Sequence, residues 1–384
     1  MPQNSNYSEE LHIGLMSGTS MDGIDGVLAK FDTDGQSEFI CHVAHAFTDD
    51  LKTQLVALQQ PTNNELHREA LAGNALADAY AKVVLELIEK ANIDPKKIRG
   101  IGAHGQTIRH QPGHHDEWGY TLQTLNASLL AELTGIDVIA DFRSRDISAN
   151  GQGAPLVPAF HSAQFGGNKY RAILNLGGIA NLTLLPPKSD SSSKVIGFDC
   201  GPGNVLLDLW IHQHKQLPYD AHGEWAQSGS IIEPLLAKLL AEPFLTASPP
   251  KSTGRDLFND DWLSKQILEF KHAKPEDIQA TLAAFTVHAA VVHIKTFFPE
   301  CEELYVCGGG VKNKSLMSLL EKCCQEISSS IGVYSTEVLN IDPQTVEAMA
   351  FAWLSWAYFH DVPANLPAVT GARGPRILGA RYPA

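Results

Sequence analysis

Hydrophobic and polar positions along this chain repeat one pattern in its two halves. In the first half, buried residues over His12–Ser17 predict a strand, Gly18–Gly23 a turn, and alternating positions over Ile24–Phe31 a returning strand. In the second half, Tyr170–Leu176 and Ala180–Leu185 predict the same strand–turn–strand unit. This repetition predicts two lobes of related structure.

The rest of the chain alternates predicted helices with short strands, which is typical of an α/β protein. A strand that runs into glycine is predicted at 98–105 and again at 303–310. We therefore expect an N-terminal lobe over residues 1–168 and a C-terminal lobe over 169–384, with the final residues able to pack back on the first lobe. Two such lobes would bring their glycine turns to opposite sides of one cleft.

Length and composition narrow the class of protein. The chain has 384 residues, which favours two domains over a single hydrophobic core. Its formal net charge is −14 and we find no basic stripe, so a nucleic-acid partner is not expected. The six cysteines form no C-x-x-C pair, which favours free thiols in a reducing cytoplasm.

Neither export nor a membrane position is expected. Residues 1–10 lack the basic and apolar regions of a secretory signal. The most apolar helical stretch, Thr281–Ile294, contains His288 and His293 and is shorter than the roughly 20 residues that span a bilayer.

The first motif with candidate chemistry is the turn after the first strand. Glycines let backbone amides approach an anion, and hydroxyls can bind phosphate, so we assign this turn to ATP. An ordinary β-turn has the same composition. Carboxylates beside phosphate require a cation, and this predicts Mg²⁺ held by Asp22, directly or through water. The assigned residues are Gly18, Thr19, Ser20, Met21, Asp22, Gly23, Ile24 and Asp25.

The second motif places Asp199 at the end of a strand, followed by glycines that open a helix. A carboxylate in this position suits general-base catalysis, whereas a structural helix cap is the alternative. A structural role of Asp199 as the helix cap is less favoured, because Asn204 could cap the same helix equally well. We assign Gly201, Gly203, Asn204 and the facing Gly178 to the nucleotide.

The third motif is Gly308-Gly309-Gly310, which permits close approach of an adenosine or ribose; a tight crossover explains it equally well. Gly100–Gly105 reads G-x-G-x-x-G, but its glycines lie inside a predicted strand and not after it, so we reject a dinucleotide site. No Gly-Lys dipeptide is present, which excludes a P-loop.

Two arginines, Arg143 and Arg145, lie close together in an otherwise acidic chain. Guanidinium groups bind carboxylates in a bidentate manner, so we assign them to an acidic substrate, with a network to Asp141 and Asp146 as the alternative. His104 is also placed with the substrate. His110, His114 and His115 are interpreted as solvated loop residues and not as metal ligands.

Taken together, these motifs resemble the anhydro-N-acetylmuramic acid kinase family over nearly the whole chain. The similar segments are LMSGTSMDGID (15–25), AHGQTIRH (103–110), DFRSRDISANGQGAPLVPAFH (141–161), LNLGGIANLT (174–183), GFDCGPGN (197–204), STGRDLF (252–258), CGGGVKN (307–313) and DPQTVEAMAFAW (342–353).

The resemblance implies an α/β fold of the actin, sugar-kinase and Hsp70 type, with two ribonuclease-H-like lobes and ATP in the cleft between them. It implies that 1,6-anhydro-N-acetylmuramate, ATP and water give N-acetylmuramate 6-phosphate and ADP in peptidoglycan recycling. It further implies Asp199 as general base, a sugar contact by Glu347, and a homodimer. A first-turn carboxylate such as Glu347 also favours a helix N-terminus without any ligand.

Two other classes of function stay open at this point. An ordinary sugar kinase would phosphorylate a free hydroxyl with the same Asp199. An ATP-gated assembly protein related to actin or a chaperone is less favoured, because we find no separate peptide-binding segment.

Overall fold

The computed structural model describes residues 9–18 and 21–384, and these form two compact units. The first unit runs to Gln164 and resumes over Thr345–Ala384, and the second comprises Phe165–Gln344. The division thus lies four residues before the expected boundary at 168/169. Residues 345–384 belong to the first unit; we had placed them in the C-terminal lobe, with its final residues able to pack back on the first lobe.

The secondary structure alternates strands and helices, as expected of the α/β class. The strands are β1 (Glu10–Met16), β2 (Gly23–Phe31), β3 (Ser37–Ala46), β4 (Ile98–Ala103), β5 (Gln106–Pro112), β6 (Gly119–Thr124), β7 (Val138–Ala140), β8 (Arg171–Leu176), β9 (Ile179–Leu185), β10 (Ile196–Pro202), β11 (Glu303–Cys307), β12 (Gly332–Ser335) and β13 (Ala380–Tyr382).

The helices vary from single turns to more than seven turns. They are α1 (Asp49–Ala57), α2 (Glu65–Ala91), α3 (Ala127–Thr134), α4 (Ser144–Ile147), α5 (Val157–Phe165), α6 (Val205–Lys215), α7 (Glu224–Gln227), α8 (Glu233–Leu240), α9 (Pro243–Thr246), α10 (Asp260–Gln266), α11 (Pro275–Phe297), α12 (Lys314–Ile327), α13 (Val346–Phe359) and α14 (Pro367–Thr370).

Both units contain a sheet with the same strand order. The first sheet runs β13-β7-β4-β1-β2-β3 and the second β10-β9-β8-β11-β12. In each, an antiparallel hairpin leads to a third antiparallel strand on one side, and two parallel strands follow on the other. The first sheet has one further strand, β13, which pairs antiparallel with β7. The common order 3-2-1-4-5 is the ribonuclease-H-like arrangement, so the predicted duplication is confirmed.

Long helices pack on these sheets and contribute many buried apolar residues to both cores. In the first unit α2 buries Leu76, Tyr80 and Val84 against the sheet. In the second unit α11 lies in the core with Phe285 and Ile294 fully covered. At 23 residues α11 is long and apolar enough to cross a membrane, longer than the stretch we had considered, but 72% of its apolar window is buried within the protein, as in a core helix.

The glycines of β4 serve packing and not nucleotide binding. A Cβ on Gly102 would lie 1.9 Å from the carbonyl oxygen of Phe351, and one on Gly14 equally close to that of Ala348. Both carbonyls belong to α13, which therefore rests directly on β1 and β4. This contact supports our rejection of the G-x-G-x-x-G interpretation, because Gly102 lies inside the strand at the point of closest approach.

Candidate functional site

Three glycine turns of the second unit meet at the end of β8. The Gly178 carbonyl accepts hydrogen bonds from the N–H groups of Gly203 and Val205, each at 3.0 Å. A Cβ on Gly203 would lie 2.2 Å from the Gly177 oxygen, so only glycine fits there. The β8–β9 turn and the start of α6 are therefore locked together.

The third turn, at Gly308, approaches the same strand end. Gly308 has φ +83° and donates its N–H to the Pro343 carbonyl at 2.8 Å; a Cβ there would lie 2.4 Å from Asn175 Oδ1. Gly310 packs on Leu176, whereas no atom would lie within 4 Å of a Cβ on Gly309. Gly309 thus leaves open backbone that a planar ligand could approach.

Asn204 lies at the N-cap of α6 but does not cap it with its side chain. Its Nδ2 donates instead to the Leu176 carbonyl at 2.9 Å. Our expectation that Asn204 would cap this helix was therefore wrong. The side chain ties α6 to the β8 end and so helps to fix the glycine turns.

Asp199 lies on β10 opposite Asn181, just before an irregularity in the strand pairing. Its Oδ2 accepts a hydrogen bond from the Thr253 N–H at 2.9 Å. Burial raises the pKa of Asp199 to about 6, and the Thr253 N–H only partly opposes this. A carboxylate with a pKa near neutral is suited to accept a proton at physiological pH.

The raised pKa predicts that Asp199 destabilises the protein at high pH. The folded state holds a proton up to about pH 6, whereas the unfolded chain releases it near its ordinary pKa of 3.8. Stability from this group is therefore lost as the pH rises from about 4 to 6. Asp199→Asn should raise the free energy of unfolding at pH 8 by about 1–3 kcal/mol.

Denaturant unfolding of both proteins at pH 8 and near pH 4 checks this expectation. The advantage of the Asn variant should shrink at the lower pH, where wild-type Asp199 is protonated. Equal stability at pH 8 would show that the carboxylate is better solvated than its surroundings indicate.

The first glycine turn, in the first unit, is partly described. Thr19 and Ser20 lie outside the described residues. Met21 has φ +52° and donates its N–H to the Gly18 carbonyl at 3.2 Å. Gly23, Ile24 and Asp25 belong to β2, and Asp25 Oδ1 lies 2.9 Å from His42 Nε2 across the sheet.

Asp22 is the exposed carboxylate of this turn. Among residues 9–18 and 21–384, no group of three or more His, Cys, Asp or Glu side chains is arranged to hold a metal ion. Mg²⁺ is commonly held by one or two carboxylates together with substrate phosphates and water. A single exposed Asp22 beside a glycine turn fits that kind of site.

His104 connects the first glycine turn to Arg143. Its Nδ1 donates to the Ser17 carbonyl at 3.1 Å, and its Nε2 accepts from Arg143 Nη2 at 2.8 Å. Burial and then the Arg143 charge lower the pKa of His104 to about 3. The imidazole is therefore neutral, as these two bonds require.

The structure separates the two candidate arginines. Arg143 also donates to the Gly153 carbonyl at 2.8 Å, and its Nε is buried without a hydrogen-bond partner. Burial lowers the pKa of Arg143 to about 10, while the charges of Glu347 and Asp146 oppose this change. Arg145 is exposed on α4. Glu347, in the first turn of α13, is half-buried, and its charge acts on Arg143.

Asp146 holds the loop beneath this cluster, a role that we had not assigned. Its Oδ2 accepts from the Gly153 N–H at 2.8 Å, and its Oδ1 accepts from Asn365 Nδ2 at 2.6 Å and Thr370 Oγ1 at 2.8 Å. Asp146 is fully buried. It therefore fixes Gly153, whose carbonyl binds Arg143.

Comparison with known proteins identifies the family. The model of the family "Anhydro-N-acetylmuramic acid kinase" matches residues 10–384. The chain is 51% identical to the protein of that name from Ralstonia nicotianae, over 98% of each chain. It is 49% identical to the one from Cupriavidus metallidurans, over 99% of each. The chain belongs to the anhydro-N-acetylmuramic acid kinase family.

A solved structure is also similar to this family member. It is the activator of the 2-hydroxyisocaproyl-CoA dehydratase from Clostridium difficile, with a TM-score of 0.47 and 12% identity, covering 91% of this chain and 96% of that one.

One histidine of this anhydro-N-acetylmuramic acid kinase family member differs from our expectation. His110 is not a solvated loop residue but lies within β5, where its Nδ1 lies 3.0 Å from Thr121 Oγ1. Burial, followed by the Arg143 charge, lowers its pKa to about 4. His114 and His115 are exposed, as expected.

Proposed function

We propose that this chain opens and phosphorylates 1,6-anhydro-N-acetylmuramate with Asp199 as the general base. Membership of the family makes the chain an ATP-dependent carbohydrate kinase acting in cell-wall recycling. The observation that supports the base is the position of Asp199: a largely buried carboxylate with a pKa of about 6, two residues before the Gly201–Asn204 turn.

The substrate dictates what the base must do. In the anhydro sugar O6 is bonded to C1, so no free hydroxyl exists at position 6. Water oxygen attacks C1, the C1–O6 bond breaks, O6 attacks the γ-phosphorus, and ADP leaves. Asp199 takes the proton of the water, and such assistance typically accelerates a reaction by ~10²–10⁴-fold.

We assign the nucleotide to the glycine turns, namely Gly18–Asp25, Gly178, Gly201–Asn204 and Gly308–Gly310. The N–H groups of Gly203, Asn204 and Gly308 already donate to protein carbonyls, so these three residues shape the turns and do not bind phosphate through their amides. Glycine brings backbone N–H groups close to an anion, and the N-terminus of α6 adds a favourable dipole. Asp22 would hold Mg²⁺, which neutralises charge on the transferred phosphoryl group.

We assign recognition of the sugar to the first unit, through His104, Arg143 and Glu347. The lactyl group of the substrate is a carboxylate, which is costly to desolvate without a cationic partner. Arg143 supplies a positive charge and one buried N–H without a partner. We favour it over Arg145, which is exposed.

An ordinary sugar kinase is the competing function, and the source of the oxygen at C1 separates the two. We expect turnover of the anhydro sugar in ¹⁸O-labelled water to place the label on C1 of the product and not in its phosphate, because water attacks carbon. Mass spectrometry of the sugar before and after phosphatase treatment locates the label. Label in the phosphate would contradict the mechanism.

A panel of free and anhydro amino sugars complements the labelling. ATP consumption should require the anhydro sugar and stay negligible without any sugar, which also tests the assembly-protein alternative. By family resemblance we further propose that the enzyme is a cytoplasmic homodimer, which analytical ultracentrifugation of the purified chain can check.

A further inference from the structure

Lys251 lies in the segment that connects α9 to α10, and its ammonium group donates three hydrogen bonds within the protein. Its Nζ donates to the carbonyls of Phe244 at 2.9 Å and Leu245 at 3.2 Å, and to His293 Nε2 at 2.7 Å. An ammonium group has three donors, and all three have acceptors here. The lysine therefore joins its segment to the end of α9 and to α11.

The protonation of His293 agrees with this arrangement. His293 Nδ1 lies 2.5 Å from the Ala289 carbonyl, which can only accept, so Nδ1 carries the hydrogen. Nε2 then has a lone pair for Lys251. Burial lowers the pKa of His293, and the Lys251 charge adds to this effect, so the imidazole stays neutral.

No carboxylate within 4 Å pairs with the half-buried Lys251 in the described part of the chain. Instead its ammonium lies over the ring of Phe244, 4.7 Å from the centroid, and 5.7 Å from that of Phe198. Burial lowers the pKa of Lys251, so this placement opposes the charge. The hydrogen bonds to the two carbonyls and to the His293 imidazole compensate for the lost hydration of the ammonium group.

The backbone of the same segment binds Asp199 on two sides. The Asp199 N–H donates to the Lys251 carbonyl at 3.3 Å, and the Thr253 N–H donates to Asp199 Oδ2 at 2.9 Å. The segment therefore contacts both the main chain and the carboxylate of Asp199. Its own position depends on the Lys251 side chain, through the three bonds described above.

We propose that Lys251 is a positioning residue for Asp199, holding the 251–253 segment so that the carboxylate is oriented and shielded from water. This inference rests on the proposed role of Asp199 as general base. It concerns a residue that does not need to touch either substrate.

Lys251→Met tests the proposal, because Met keeps the aliphatic volume and removes all three donors. Displacement of a catalytic group by about 1 Å can cost 10²-fold, so we expect kcat to fall about 10- to 100-fold. The KM for ATP should change little, because nucleotide binding is assigned to the glycine turns. Lys238→Met is the control: Lys238 Nζ also donates to a carbonyl, that of Gln266 at 3.0 Å, and it pairs with Glu269 at 3.2 Å and not with the Asp199 segment.

The pH profile of kcat distinguishes positioning from a general loss of stability. The neighbouring titratable groups are Cys200 on the same strand, Lys251 on the covering segment, and His293 behind it. Freeing the segment has two opposite effects on Asp199. Water that enters lowers the pKa of the carboxyl group, whereas a weaker hydrogen bond from the Thr253 N–H raises this pKa. Burial is the larger cause, so the acidic limb should move to lower pH.

Parallel measurement of Asp199→Asn separates the two proposals. If that variant is inactive while Lys251→Met matches Lys238→Met in kcat and pH profile, the positioning role is wrong and the base assignment stands. If Asp199→Asn keeps normal kcat, the base assignment itself fails and the positioning role fails with it. Should Lys251→Met not fold, His293→Phe, which removes one acceptor and retains an aromatic ring, decides by the same two readouts.

Discussion

Asp199→Asn is expected to lower kcat by roughly 10²–10⁴-fold with little change in affinity for ATP. Asn keeps the size of the side chain and an oxygen that accepts from Thr253, but it cannot take a proton from water. Single-turnover kinetics and nucleotide titration of the two proteins measure both quantities. In the wild-type enzyme kcat should fall below about pH 6, where Asp199 becomes protonated.

Two outcomes would change this assignment. A variant with nearly normal kcat would show that Asp199 is structural, since Asn and Asp are about equally good at helix caps. A variant that lost ATP binding would indicate a role in holding the metal. The stability gain expected at pH 8 provides an internal control, because it shows that the Asn variant is folded while inactive.

Local patterns predicted the duplicated strand–turn–strand units but not every strand of the two sheets. The β8–β9 hairpin and β11 were predicted from short apolar runs ending in glycine, and their counterparts β1, β2 and β4 in the same way. The common strand order of the two sheets then follows from the duplication. The pattern did not indicate β3 or β12, because β3 alternates weakly at the sheet edge and β12 has only four residues. The hairpin β5–β6 contains a Pro/Gly-rich turn that we interpreted as a longer loop.

The site was predicted only where its chemistry is local in sequence. Glycine turns and a carboxylate at a strand end are visible within a few residues, and Asp199 was found on that basis. Asp146 was considered only as a partner of the arginines, because the residues that it binds, Asn365 and Thr370, are more than 200 residues away. Lys251 was not assigned a role, because its acceptors are two main-chain carbonyls and a histidine 42 residues further along the chain. A single sequence gives no measure of such pairings. Arg143 and Arg145 could not be separated either, because their difference lies in burial.

The difference in burial between Arg143 and Arg145 leads to the second large effect that we expect. Arg143→Ala should lower kcat/KM for anhydro-N-acetylmuramate by about 10²-fold or more, because truncating one partner of a desolvated, hydrogen-bonded charge pair typically costs 2–5 kcal/mol. Arg145→Ala, the matched control on the exposed side of α4, should change kcat/KM less than threefold.

An analogue that lacks the lactyl carboxylate distinguishes recognition from support of the fold. If Arg143 binds the carboxylate, wild-type enzyme should lose activity on the analogue, and Arg143→Ala should lose little more. Equal losses on both substrates would mean that Arg143 acts through His104 and Gly153, which it contacts at 2.8 Å each, and not through the substrate. We expect the loss to depend on the lactyl carboxylate, because the Nε of Arg143 is buried without a protein acceptor. The guanidinium is also charged, since the charges of Glu347 and Asp146 oppose the effect of burial on its pKa.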